Sequence, residues 1–368
     1  MHIAIVGAGI AGLYSAYILE KKYPKAQIDI YEKSNHLGGR IMTFKPNNSV
    51  QIEAGAGRIG EHHYRVWKLL HKYNASWTKL EAPKKYLNNP SYNISKDYKK
   101  IRDMYNTTSK KELEKLHFKT WVAKYTDIDI EKFINAFGYS GKFELMSAFD
   151  AGRAIIEEFE RSFYGIISGI DTIVEGLKND ISANIHVNTP VENITTAKTV
   201  YFSSGKTRQP DMVVVAVPIQ RIPHWDILRN INTHAIGSKP LQRIYAHCPG
   251  LTLSNRYTTT SYLRYIIPIS NKNNIHMVSY TDDKYTNSWQ LVDNKEELLE
   301  KEMKDTFNVS VKNSWFCYWD IGTSYWVSGR KNMFKQPKIH NLFIVGESVS
   351  DYQSWIEGAL KSVEKVLK

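Results

Sequence analysis

The opening stretch HIAIVGAGIAGLYSAYILEKKYPKAQIDIYEKS sets short apolar runs against a helical spacing. Ile3, Ile5 and Val6 read as a short buried strand, and Leu13, Tyr17 and Ile18 with Ala11 and Ala16 fall on one helical face. A second strand ends at Glu32. Further on, a helix over Glu61–Tyr73 would align His62, Val66, Leu69, Leu70 and Tyr73. Residues 84–150, rich in Lys, Tyr and Asn, carry helical stretches near Lys110–Tyr125 and Asp129–Ala136. GIISGIDTIVEGLKNDI reads as loop plus helix, and IHVNTPVENI as a strand. TVYFSSGKTRQPDMVVVAVP reads as a hairpin whose second strand is wholly apolar and ends at Pro218. From Ile219 to about Gln336 alternating strands dominate, with a helix at Lys295–Asp305. The chain closes on an apolar run, Leu342–Val345, a Gly346-Glu347 turn and a helix beginning near Trp355.

Composition narrows this only a little. With 368 residues and 42% hydrophobic content, the chain is expected to be globular, and no apolar run is long enough to span a bilayer. The first strand candidate starts beside Met1, which leaves no room for a secretory signal, so a cytoplasmic location is expected. Cys248 and Cys317 are too few for a disulfide framework or a zinc site, and no metal is expected. The formal charge of +12 admits nucleic acid as a partner. The basic residues around Lys96–Lys115 spell no recognisable nucleic-acid module, so such a partner is not expected.

Chemistry enters at Gly7-Ala8-Gly9-Ile10-Ala11-Gly12, a G-x-G-x-x-G between strand and helix. Gly7 permits the tight turn, Gly9 lets backbone approach a diphosphate, and Gly12 allows close helix–strand packing. Glu32, at the end of the next strand, would accept hydrogen bonds from an adenosine ribose. NAD and FAD share this cradle. The following Gly38-Gly39-Arg40 supplies backbone donors and a fixed cation for a second approach to the diphosphate.

Placed directly after Glu32, the Gly38-Gly39-Arg40 pattern resembles the double-glycine motif of the flavin amine oxidase family. The resemblance extends to Gly55-Ala56-Gly57-Arg58, which is similar to the loop that passes the flavin ring. Arg58 there would serve the flavin, an anionic substrate group, or an ion pair with Glu53. It extends also to Val191, whose family counterpart holds adenine through its backbone, and to the strand ending at Val217-Pro218. At the carboxyl end, Gly346-Glu347 and the segment Trp355-Ile356-Glu357-Gly358-Ala359 match the family's closing segment, and the helix N-terminus would face the pyrimidine edge of the ring. The expected cofactor contacts are therefore Gly7, Gly9, Ile10, Ala11, Gly12, Glu32, Lys33, Gly38, Gly39, Arg40, Gly55, Ala56, Gly57, Arg58, Val191, Val217, Pro218, Gly346, Glu347, Trp355, Ile356 and Ala359.

The resemblance implies a fold and an activity. The fold class is α/β: a discontinuous Rossmann-like FAD-binding domain (1–84, 160–220 and 337–368) with a substrate-binding domain of mixed sheet plus helices (85–159 and 221–336). The activity would be oxidation of the C–N bond of a small-molecule amine, with hydride passing to flavin N5 and O2 as acceptor, giving H2O2. FAD would be non-covalent, because no Cys stands at the family's attachment position, near Thr323 and Ser324. Family members carry a lysine that holds a water near N5; register favours Arg243 there, with Lys239 close by. Arg stays protonated and cannot act as a base. Two aromatic rings would flank the amine, Trp355 and either Tyr325 or Trp326. The alternatives are a desaturase or protoporphyrinogen-type oxidase of the same superfold, and a flavin-bound scaffold that has lost turnover.

Overall fold

The computed structural model describes residues 1–47, 50–138, 141–268 and 274–368. Five strands pair in parallel in the spatial order Leu342–Ile344, Met212–Val215, His2–Val6, Gln27–Tyr31 and Asn184–His186. Burial on both faces explains their unbroken apolar character: Ile3, Ile5, Val214 and Ile344 are all fully buried. One face packs against the helices Ile10–Lys22, Thr172–Asp180 and Ile356–Leu367, through Leu13, Leu177 and Leu360. This strand order brings the beginning, middle and end of the chain side by side, with their loops at one edge.

A second sheet of six strands runs Asn313–Trp326, Ile236–His247, Ile275–Asp282, Tyr265–Ile267, Arg256–Thr258 and Lys84–Tyr86. Its pairs are antiparallel except the last, which is parallel. One face buries Tyr245, Tyr265 and Met277 against helices that include Ile94–Thr107, Phe118–Tyr125, Ile130–Phe137 and Ala148–Glu160. The other buries Ile244, Ile266 and Val278 against Trp289, Leu299 and Met303. The architecture is thus α/β with an additional mixed sheet, as expected. Among the described residues no helix is long and apolar enough to cross a membrane.

Several elements differ from their sequence reading. The apolar strand Met212–Val215 is not the second arm of a hairpin: Val200–Phe202 turns back at Gly205 onto Thr207–Arg208, and the chain then crosses to the parallel sheet. IHVNTPVENI divides into Asn184–His186 and Val191–Ile194, in different sheets, because Asn188 (φ +50°) and Pro190 intervene. Helix Lys110–Tyr125 divides at Leu116–His117. Three helices have no counterpart in the sequence reading: Ile94–Thr107, Ala148–Glu160 and the short Lys284–Gln290. The second carried a readable start, since Ser147 Oγ accepts from the Asp150 N–H (3.2 Å) in a Ser-x-x-Asp pattern.

Candidate cofactor and substrate cavity

The glycine cradle is built as its spacing dictates. Gly7 sits at φ +99° and donates its N–H to the Tyr31 carbonyl (2.8 Å). A Cβ on Gly12 would stand 1.9 Å from the Gly7 carbonyl oxygen, so helix and turn approach as closely as hydrogen allows. Gly38, at φ +95°, donates its N–H to the Ala8 carbonyl (2.9 Å), which ties the double-glycine turn to the first loop. The buried Glu32 carboxylate accepts from the Ala8 N–H (2.8 Å), the Ser34 N–H (3.0 Å) and the Ser34 hydroxyl (2.9 Å).

Three distant segments close around this point. Arg40 Nη1 pairs with Glu347 Oε1 at 2.8 Å and also donates to the Gly322 carbonyl (3.2 Å). Glu347 in turn accepts from Ser324 Oγ (2.8 Å) and the Ser354 N–H (2.8 Å). Gly346, at φ +123°, donates its N–H to Ser362 Oγ (2.8 Å), and Tyr14 of the first helix donates to Glu364 of the last (2.8 Å). Gly55 nests under Arg40: a Cβ there would meet the Arg40 carbonyl oxygen at 2.0 Å.

A single cavity of about 1270 Å³ runs from this cradle to the six-stranded sheet. Towards the parallel sheet its walls include Gly7, Gly9, Glu32, Lys33, Val191 and Trp225. Beyond Gly55, Ala56 and Gly57 they include Arg58, Phe163, Trp355, Trp319 and Arg243, then the apolar Leu80, Phe137, Phe143, Ile267 and Met277. Phe163 stacks on Trp355 with centroids 5.8 Å apart, and the Arg58 guanidinium lies 4.3 Å from the Phe163 ring.

Charge at this end is organised around Glu158, on the unread helix Ala148–Glu160. Arg58 (2.7 Å) and Arg256 (2.9 Å) both pair with its carboxylate. Burial would raise Glu158, but Arg58, Lys84 and Arg256 hold it down at about 2. The same burial pushes the Lys84 ammonium down to about 7, against the pull of Glu158. Arg58 therefore has a structural anion already. Arg243 is buried and donates Nη1 to the Glu53 carbonyl (3.2 Å), which Tyr245 Oη also reaches (3.1 Å). Burial pushes the Glu53 side chain up to about 7, against hydrogen bonds from Thr43 and the Ile170 N–H.

Nearly every residue singled out from the sequence lines this one cavity, Ile10, Ala11, Gly38, Gly39, Arg40, Val217, Pro218, Gly346, Glu347, Ile356 and Ala359 among them. Four do not. Gly12 lies behind the wall, in the helix–strand contact. Lys239 is drawn aside by Asp283 (2.8 Å). Tyr325 and Trp326 are core residues: Tyr325 packs beneath the six-stranded sheet, and Trp326 lies in a separate core, donating Nε1 to the Ser350 carbonyl (2.9 Å). Trp319, seven residues before Trp326, faces the cavity instead and donates Nε1 to the Ala54 carbonyl (2.7 Å). Glu157, Glu158, Phe137 and Phe163 line the cavity and were not singled out.

The residues present fit an elongated dinucleotide. Glycines leave room along the cradle, a carboxylate stands at one end, and aromatic walls stand at the other. Among the described residues, His36 Nε2 and Thr323 Oγ1 are buried without a hydrogen-bond partner, and both side chains belong to cavity-lining residues. Such atoms are costly unless a bound group satisfies them.

Comparison with known proteins agrees with this geometry. A solved structure of putrescine oxidase, from a redesign of its cofactor binding, superposes with a TM-score of 0.80 at 14% identity, covering 100% of this chain and 97% of that one. Achacin of Lissachatina fulica is 36% identical over 72 residues, which are 19% of this chain and 13% of achacin. Protoporphyrinogen oxidase of Schizosaccharomyces pombe is 44% identical over 61 residues, 15% of this chain and 12% of that protein. The chain thus matches only about an eighth of the length of these curated relatives. The model of flavin-containing amine oxidoreductases matches residues 10–365, nearly the whole chain, and the protein belongs to that family.

Proposed function

We propose that this protein is an FAD-dependent amine oxidase that binds its cofactor non-covalently and uses O2, giving H2O2. The observation that carries the reading is the single cavity joining the glycine cradle to an aromatic-walled chamber. Residues 1–84, 160–220 and 337–368 would form the cofactor-binding part, and 85–159 with 221–336 the substrate-binding part.

When bound, FAD supplies the acceptor for the hydride leaving the carbon that bears the amine. The chain's own residues do the rest. Glu32 would hold the ribose hydroxyls, and Gly9 and Gly39 admit the diphosphate close to backbone. The N-terminus of helix Ile356–Leu367 and the permanently charged Arg243 set positive potential at the flavin end. Phe163, Trp319 and Trp355 offer faces and edges that orient an amine and exclude water. With Glu158 taken up by two arginines, Arg58 serves the wall rather than a substrate carboxylate. That favours a simple amine over an amino acid.

A porphyrinogen-type substrate is the second reading, favoured by the apolar chamber of Leu80, Phe137, Phe143, Ile267 and Met277. The test is a panel of amines and one porphyrinogen, scored by anaerobic bleaching of the flavin absorbance and by peroxide release in air. Bleaching by amines supports the proposal. Bleaching by the porphyrinogen alone rejects amine oxidation and keeps the fold.

A further inference from the structure

Glu157 and Glu158 are neighbours on one helix and both line the cavity, yet their surroundings differ sharply. Glu158 is neutralised by Arg58 and Arg256. Glu157 instead accepts a hydrogen bond from the Tyr352 hydroxyl (Oε2, 2.8 Å), with His62 Nε2 3.7 Å from the same oxygen and Arg153 Nε 3.9 Å from Oε1, within ion-pair reach but outside hydrogen-bond distance. The Arg153 guanidinium is held elsewhere, by Asp150 (3.3 Å) and the Asp351 carbonyl (3.0 Å).

The protons behind Tyr352 can be placed. The Gly60 N–H donates to His63 Nδ1 (3.1 Å), so neutral His63 carries its hydrogen on Nε2, which faces Tyr352 Oη at 3.2 Å. Burial pushes His63 protonation down to about 3, which keeps it neutral. His62 Nε2 lies 2.7 Å from the same oxygen. With its single hydrogen given to Glu157, Tyr352 can only accept from the two histidines. His62 therefore presents Nε2–H as well, and its Nδ1 is buried without a hydrogen-bond partner among the described residues. The hydrogens at this oxygen point one way, from two imidazoles through a phenol to a carboxylate. Such a queue fixes the direction of the Glu157 carboxylate at the cavity wall.

We propose that Glu157 is the residue that reads the positive charge of an amine substrate, with Tyr352, backed by His62 and His63, as its positioning residue. The inference rests on the amine reading and names the feature of the amine that is recognised: an ammonium nitrogen. The overall charge of +12 repels cations at long range, so recognition of one needs a local carboxylate of this kind.

The test is calorimetric titration of the flavin-loaded protein with benzylammonium and with its uncharged counterpart, benzyl alcohol. Wild type is expected to prefer the cation. Glu157→Gln should weaken benzylammonium roughly 10- to 100-fold, the range for a hydrogen bond to a charged group, without a matching loss for benzyl alcohol. Tyr352→Phe should weaken the cation roughly 3- to 10-fold, and Glu157→Asp should recover part of the Gln deficit. No preference in wild type, or equal losses of both probes in Glu157→Gln, overturns the assignment. A wild type that prefers the cation, yet is bleached by no amine, upholds Glu157 and rejects the oxidase reading.

Discussion

Glu53→Gln should make the protein more stable at neutral pH, and the size of the gain can be worked out. Glu53 is buried beneath the cavity, 6% exposed, so solvent screens it little. Its carboxylate accepts from Thr43 Oγ1 (2.9 Å), the Ile170 N–H (3.2 Å) and Gln51 Nε2 (3.3 Å), and burial nevertheless raises it from 4.5 to about 7. Below pH 4.5 the carboxyl is protonated in both folded and unfolded chains. Between pH 4.5 and about 7 the unfolded chain releases its proton first, so stability falls as pH rises. Above pH 7 the folded state carries the ionised group in full. At about 1.36 kcal/mol for each tenfold change in proton affinity, that amounts to about 3 kcal/mol. Gln mimics the protonated acid: its carbonyl oxygen can accept from the Ile170 N–H, and its amide can donate to the Thr43 hydroxyl. Urea denaturation of both proteins from pH 4 to pH 8 isolates the effect, since other groups cancel in the difference. The two curves should diverge by about 3 kcal/mol between pH 4.5 and 7, with Glu53→Gln the more stable. Parallel curves through that range would refute the reasoning.

Other perturbations probe other parts. Gly12→Ala forces a methyl to 1.9 Å from the Gly7 carbonyl; it should cost about 1–3 kcal/mol and yield protein that purifies colourless, read by absorbance. Glu158→Gln leaves Arg58, Arg256 and Lys84 without their shared anion and should cost about 3–5 kcal/mol in denaturation at pH 7. Glu158 ionises lower folded than unfolded, so its contribution is complete above pH 4.5 and is lost as pH falls towards about 2. Arg243→Lys introduces the lysine that the family resemblance implies for this position. It should speed reaction of the reduced enzyme with O2 about tenfold in stopped flow, equivalent to about 1.4 kcal/mol of barrier.

What the sequence revealed follows how local each feature is. The cradle was legible because its parts lie within one βαβ stretch: three glycines, the strand after them and Glu32. The carboxyl-terminal segment was legible for the same reason, as strand, turn and helix in succession. The second aromatic wall was not. It sits on a 14-residue strand, Asn313–Trp326, whose pairing shifts register between Lys239 and Leu241. Leu241 pairs with Trp319, but Lys239 pairs with Thr323, so the strand carries two extra residues between these pairs, an irregularity that no alternating pattern reports. Trp319 lies on one side of that irregularity and lines the cavity, while Tyr325 and Trp326 lie beyond it in cores and Lys239 pairs with Asp283. The acidic pair Glu157–Glu158 was missed because its helix was missed, although Ser147 and Asp150 marked its start. The roles of the two acids depend on partners about a hundred or more residues away, Arg58, Arg256 and Tyr352, which no local pattern reports.

The central claim is that the three segments converge on one adenine–flavin molecule, and electron density for the purified yellow protein tests it most directly. One FAD per chain is expected, with adenosine at Glu32, the diphosphate along Gly9 and Gly39, and the ring between Gly55–Arg58 and Trp355. Density for a flavin lying elsewhere, or running in the opposite direction, would contradict it.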